Sequence, residues 1–190
     1  MKRLSVTRVS AALFAIVVLP GCEVTPDPAD DQGPQITMTS IVRGSTEVFE
    51  SSDPEAVVYE APVCPNGTAI LGTVHDVPGF PIEVLISGAD RSGVKWLRLS
   101  ADGGVLSAPD PASVRVYTRT VAGNEISVAE VYYPDDEPET PRAFSVTVNP
   151  EPGSGIVKLE GGARDYNDNV QYTLLINVGT LEDLCETFAP

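Results

Sequence analysis

His75 is the chain's one histidine, so a Ser-His-Asp or Cys-His relay would have to run through it. It stands in Thr73-Val74-His75-Asp76, just before Pro78-Gly79, the pattern of a strand running into a turn. It reads as an ordinary hydrogen-bonded loop histidine, and one imidazole cannot build a histidine-rich zinc site. No Gly-x-Ser-x-Gly elbow, P-loop or dinucleotide-binding fingerprint occurs. Paired carboxylates could hydrolyse a glycan, but 27 Asp and Glu make chance pairs inevitable and no pair stands out. Asp165-x-Asn167-x-Asn169 has the alternating oxygen spacing that opens a calcium loop, with Asp168 as a further carboxylate. Val170 and Ile176 stand where such a loop needs Gly and Glu, and Asp and Asn favour turns without any metal. The stretch is read as a plain turn, with calcium the alternative. No catalytic residue, metal or cofactor is expected.

The elements that would place these residues begin with a leader. Lys2, Arg3 and Arg8 form a positive start, and Ala11 to Leu19 is an unbroken apolar run of nine residues. That is a secretory signal, too short to span a ~30 Å hydrocarbon core as a helix. It ends in Leu19-Pro20-Gly21-Cys22, which resembles a bacterial lipobox: Leu19 at the −3 position, the small Gly21 at −1, and Cys22 as lipid acceptor. The resemblance implies a signal peptide over residues 1–21, cleavage before Cys22, and diacylglycerol on its sulfur. Two or more acyl chains hold a protein on a membrane stably. Glu23 is not the usual inner-membrane retention signal of such lipoproteins, which implies an outer-membrane address where the host has two membranes.

With Cys22 lipidated, Cys64 and Cys185 remain, and an even pair in an oxidising compartment predicts a disulfide. It would tie a Pro-flanked, irregular stretch to the C-terminal end of the chain. A redox or metal-binding pair would want a C-x-x-C spacing or nearby histidines, and neither is present.

Composition fits an exported domain. Of the 12 Lys+Arg, only Lys2, Arg3 and Arg8 precede Cys22, while all 27 Asp+Glu follow it, so the mature chain carries a net charge of about −18. Such a surface repels phosphate backbones and anionic headgroups. Nucleic-acid partners are not expected, and membrane attachment should come from the lipid alone. Residues 22–35 include the run EVTPDPADDQGPQ, with almost nothing to bury, and read as a flexible acidic tether. Residues 36–190 match the size of one domain. The acidic PDDEPETP run, Pro134 to Pro141, is read as a surface loop within it.

Beyond Gln35 short runs rich in Val, Ile, Tyr and Thr recur between Gly, Pro, Asp and Asn clusters. The expected strands are Ile36–Val42, Ala56–Tyr59, Ile82–Ser87, Val94–Ser100, Ser113–Arg119, Ile126–Tyr132, Ala143–Val148, Ile156–Glu160 and Val170–Val178. In Ala143–Val148, Phe144, Val146 and Val148 face one way, with Ser145 and Thr147 the other. One helical turn or two is expected over Thr180–Phe188, capped by Thr180 with Asp183 completing a capping box. The fold class that follows is all-β, an antiparallel two-sheet sandwich with a short C-terminal helical turn.

Two stretches sharpen this. Ile82 to Gly104, IEVLISGADRSGVKWLRLSADGG, resembles the middle of a bacterial immunoglobulin-like or fibronectin-type module, with its Asp-x-x-Gly and Asp-Gly turns. Gly161 to Val178 is similar to the terminal hairpin of those modules, where an Ala-x-Asp-x-x-x-Asn turn leads into the last strand. The resemblance implies an immunoglobulin-like sandwich with Trp96 filling its core. Fold alone does not carry function. The reading that follows is a lipid-anchored, non-catalytic binding or structural module at the cell envelope, its partner an envelope protein or glycan. The alternative is an envelope enzyme, a carboxylate-based glycan hydrolase on a β scaffold.

Overall fold

The computed structural model describes residues 22–23, 25–42, 45–52, 61–134 and 139–189. The expected signal peptide, the expected strand Ala56–Tyr59 and residues 135–138 of the acidic run lie outside these. In chain order the first strands are β1 (Cys22–Glu23), β2 (Gln35–Val42), β3 (Ser45–Ser51), β4 (Val74–Asp76), β5 (Ile82–Ala89), β6 (Val94–Asp102) and β7 (Gly104–Ser107). They are followed by β8 (Arg115–Val121), β9 (Asn124–Tyr132), β10 (Glu139–Thr140), β11 (Arg142–Pro150), β12 (Ile156–Asp165), β13 (Val170–Tyr172), β14 (Ile176–Gly179) and the helix α1 (Leu181–Phe188). One sheet runs β3-β2-β5-β11-β7, the other β4-β14-β12-β6-β9-β8 with β13 beside β12. The short β1 pairs with β10. All pairings are antiparallel except β14 with β4, which is parallel.

Alternation builds the core. Ile82, Val84 and Ile86 of β5 and Phe144, Val146 and Val148 of β11 point inward from the first sheet. Leu97 and Leu99 of β6, Val157 and Leu159 of β12, and Ile176 and Val178 of β14 meet them from the second. Each fully buried side chain of this size contributes about 1.5–3 kcal/mol relative to an exposed one. Tight turns carry the chain between sheets. Asp90–Gly93 takes β5 to β6, and Asp102-Gly103 takes β6 to β7, with Gly103 at φ +73° where a Cβ would be strained.

Trp96 departs from expectation. It is buried, yet it lies on the outer face of the seven-stranded sheet, because Leu97 and Leu99 take the inward positions of β6. Trp96 and Leu97 are both apolar neighbours, so alternation alone does not fix which faces in. The expected strand Val170–Val178 is divided into β13 and β14. Leu174 and Leu175 between them are more than half or half exposed, and Thr173 turns to bond Gly161. Glu139 and Thr140, within the expected loop, form β10.

The C-terminal helix is capped as its sequence implies. Thr180 Oγ1 accepts from the Asp183 N–H at 3.2 Å. The box is closed differently, since the Thr180 hydroxyl donates to the Asp183 carboxylate at 2.5 Å. Cys64 and Cys185 form a disulfide, with Cα atoms 5.8 Å apart. It joins the turn around Cys64 to the helix, where Ile70, Val74 and Leu184 make a small second apolar cluster. No helix among the described residues is long and apolar enough to cross a membrane.

Candidate functional site

Three segments far apart in sequence converge at one end of the sandwich. They are the Asp90–Gly93 turn, the Tyr166–Asn169 turn after β12, and residues 27–34 ahead of β2. Each turn is shaped by an aspartate. Asp90 Oδ1 accepts from the Ser92 N–H at 2.7 Å, which folds that turn. Asp165 Oδ1 accepts from the N–H groups of Asn167 and Asn169, both at 2.8 Å, and Asp168 sits at φ 67°. Asn169 Nδ2 donates to the other Asp165 oxygen at 2.8 Å.

The residues read as a flexible tether are, from Asp27 to Pro34, fastened across these turns. Asn167 Nδ2 donates to the Asp27 carbonyl at 2.5 Å, and Asn169 Nδ2 to the Asp30 carbonyl at 3.0 Å. Ser92 is fully buried, and its hydroxyl donates to Asp30 Oδ2 at 2.9 Å. Exposed Arg91 adds an ion pair to Asp27 at 3.4 Å. Gly33 lies so close to β13 that a Cβ there would meet Val170 and Gln171 at 3.0 Å. Low hydrophobicity gives this segment no apolar face to bury. It docks because the turns present buried amide and hydroxyl groups to its backbone and to Asp30. Cys22 pairs with Thr140, whose hydroxyl accepts from the Asp90 N–H at 2.9 Å, so Cys22 is held near the same end.

The three aspartates meet inside this clasp. One carboxylate oxygen from each of Asp30, Asp90 and Asp165 lies within 4.8 Å of the others. Asp165 is fully buried, Asp30 nearly so, and Asp90 half-buried. Asp90 is pushed up to about 6, chiefly by burial and then by the charges of Asp30 and Asp165. Asp30 goes the other way, because the Ser92 hydroxyl and the Gln32 N–H hold its charged form. Asp90 therefore keeps its proton to a higher pH than Asp30 does. An open hollow of about 750 Å³ beside the clasp is bordered by Asp30, Gly33, Asp90 and Gln171.

The calcium alternative placed Asp165, Asn167 and Asn169 around one ion. Asp165 is in the cluster, but Asn167 and Asn169 turn their amide nitrogens to backbone carbonyls and act as donors. The oxygens that stand beside Asp165 come instead from Asp30 and Asp90. Three carboxylate oxygens at this spacing are of the hard type that suits calcium. Protein donors already meet them, the Ser92 hydroxyl at Asp30 and the Asn169 amide at Asp165. Asp90 was legible as a turn residue and Asp30 only as tether composition, and nothing in the sequence announced that they meet. His75 is half-buried on β4, next to Val178 of β14, away from the aspartates in the fold.

No family model matches the chain, and no curated protein does. Among solved structures, a cohesin module from a family 33 glycoside hydrolase of Clostridium perfringens ATCC13124 is similar. It shares 11% identity over 57% of this chain and 92% of that chain, with a TM-score of 0.34. A likeness at that level carries no argument about this chain's role.

Proposed function

We propose that the chain is an exported, lipid-anchored protein of the cell envelope, and that its sandwich is a non-catalytic, immunoglobulin-like binding or structural module. The observation that carries the reading is a charged and then apolar leader ending in Leu19-Pro20-Gly21-Cys22, directly ahead of a disulfide-bonded β-sandwich. Lipid on Cys22 supplies the membrane attachment that a domain of about −18 charge would not make through its surface. Glu23 favours the outer membrane of a two-membrane host. Because residues 27–34 are clasped to the sandwich, the domain sits close over the bilayer, with its sheet faces directed to an envelope protein or glycan.

Support for a non-catalytic role comes from the aspartate cluster itself. Both oxygens of Asp165 are engaged by Asn167 and Asn169, and Asp30 holds Ser92, so these groups close a structural clasp. The test is extraction of isolated membranes with alkaline carbonate, which strips proteins held by surface charge. The wild type stays in the pellet and Cys22→Ala moves to the supernatant. A wild type recovered in the supernatant contradicts the anchor.

A further inference from the structure

The outer face of the seven-stranded sheet is chemically unlike the rest of this acidic protein. On β6 the Arg98 guanidinium lies between two rings, 4.9 Å from the Trp96 centroid and 5.3 Å from that of Tyr172. Tyr132 continues the line, its ring 6.2 Å from Trp96, and it is 63% exposed, against 43% for Tyr172. Rings on β9, β6 and β13 therefore form a strip crossing four strands, about 14 Å wide at ~4.8 Å per strand. On the neighbouring strand β8, Arg115 stacks on Tyr117 at 4.8 Å and pairs with buried Glu130 at 3.5 Å.

Two arginines of this face have no such partner. Among the described residues neither Arg98 nor Arg119 makes an ion pair, although Glu130, held by Arg115, Trp96 and Tyr117, stands opposite Arg98 across the β6–β9 ladder. Arg98 Nε, Arg119 Nε and the hydroxyl oxygen of Ser100 are buried without any hydrogen-bond partner. Buried polar groups are ordinarily satisfied, and those that are not call for an explanation. A guanidinium stacked on aromatic rings keeps its planar fork of N–H donors for a planar anion.

We propose that this face binds a carboxylate-bearing polysaccharide, the apolar faces of its sugar rings resting on Tyr132 and Tyr172 and its carboxylates on Arg98 and Arg119. Three features select that ligand. Arg98 and Arg119 are two strands and four residues apart, on the order of 16 Å, so one small anion does not reach both and a polymer with repeated charges does. β6, β9 and β12 are paired on both sides, so over the middle of this face a ligand meets side chains and no free backbone edge. Exposed tyrosines offer broad apolar area with a polar rim, which suits a sugar ring. The inference rests on the domain's being a binding module and is independent of the lipid.

The test uses the full chain in detergent, with chelator present, in affinity electrophoresis against polygalacturonate, a neutral dextran and polyglutamate. Retardation by polygalacturonate is expected, weakened by salt, with much less by dextran or polyglutamate. Arg98→Gln should weaken it about tenfold, the loss of one charge-assisted pair. Arg98→Lys keeps the charge but not the fork and should weaken it too. Arg119→Gln, on the edge strand β8, is the check against misfolding, and it should also weaken binding with thermal unfolding unchanged. No retardation by polygalacturonate overturns the proposal, as does binding that both arginine variants retain. Equal retardation by polyglutamate overturns the glycan assignment while leaving a binding module in place.

Discussion

Replacing Asp90 by Asn should stabilise the protein at neutral pH, and by an amount that disappears in acid. The Asp90 carboxyl is raised from 3.8 to about 6 in the fold, so the folded state holds its proton through a range where the unfolded chain has released it. The stability tied to this proton is complete below pH 3.8 and is lost as pH rises through about 6. Asp30 is lowered, so its contribution is present above 3.8 and lost only as pH falls below that. The clasp is therefore tightest near pH 4–5 and loosened at 7. A shift of about two units corresponds to ~3 kcal/mol for a group sealed from water. Asp90 is half-buried beside an open hollow, and screening there reduces the expectation to about 1 kcal/mol. The amide in Asp90→Asn keeps an oxygen for the Ser92 N–H and supplies a permanent donor to Asp30. For a domain of this size the variant should melt about 2–4 °C above wild type at pH 7.5. The gap should close by pH 4.5, where Asp90 is protonated in wild type. Thermal unfolding followed by circular dichroism from pH 4.5 to 8 measures it. Parallel curves across the whole range, or a variant less stable at pH 7.5, would refute the raised Asp90 carboxyl.

Two further outcomes follow from the same structure. Intact-mass analysis after non-reducing alkylation should find Cys64 and Cys185 unmodified, with both alkylated after reduction. The closed span of 121 residues gives an upper contribution of about 4–5 kcal/mol on chain-entropy grounds, and reduction should loosen the Cys64 turn and α1 before the sandwich melts, as read by hydrogen exchange. Because the aspartates are closed by protein donors, chelation should leave the thermal midpoint nearly unchanged. A rise of many degrees in millimolar calcium, abolished by Asp165→Ala, would assign the three carboxylates to a cation instead.

The strands that alternate cleanly were legible in the residues. Phe144, Val146 and Val148 needed no partner to declare their face, and Asp102-Gly103 announced its turn. Trp96 was not legible in the same way, because two adjacent apolar residues leave the inward face undecided until Leu97 and Leu99 are seen to meet the opposite sheet. The 27–34 segment failed for a different reason. Its composition reports the absence of burial, whereas what holds it is a handful of amide and hydroxyl bonds from Ser92, Asn167 and Asn169. The turn roles of Asp90 and Asp165 were readable locally, but their meeting with Asp30 is a product of topology, since β5, β12 and the N-terminal segment come together only once both sheets are built. β3 and β7 were missed because each is short or polar and takes its place from its neighbours, whereas β4 was read as the strand running into the turn after His75. The sheet-face arginines carried no local signal: only the lack of an ion pair at Arg98 and Arg119 among the described residues marks them.

Metabolic labelling with a fatty-acid analogue tests the account at its centre, the claim that Cys22 anchors this sandwich to a membrane. The wild type should carry the label and Cys22→Ala should not, with the label resistant to reduction that opens Cys64–Cys185. A wild-type chain that is cleaved, exported and free of label would contradict the account.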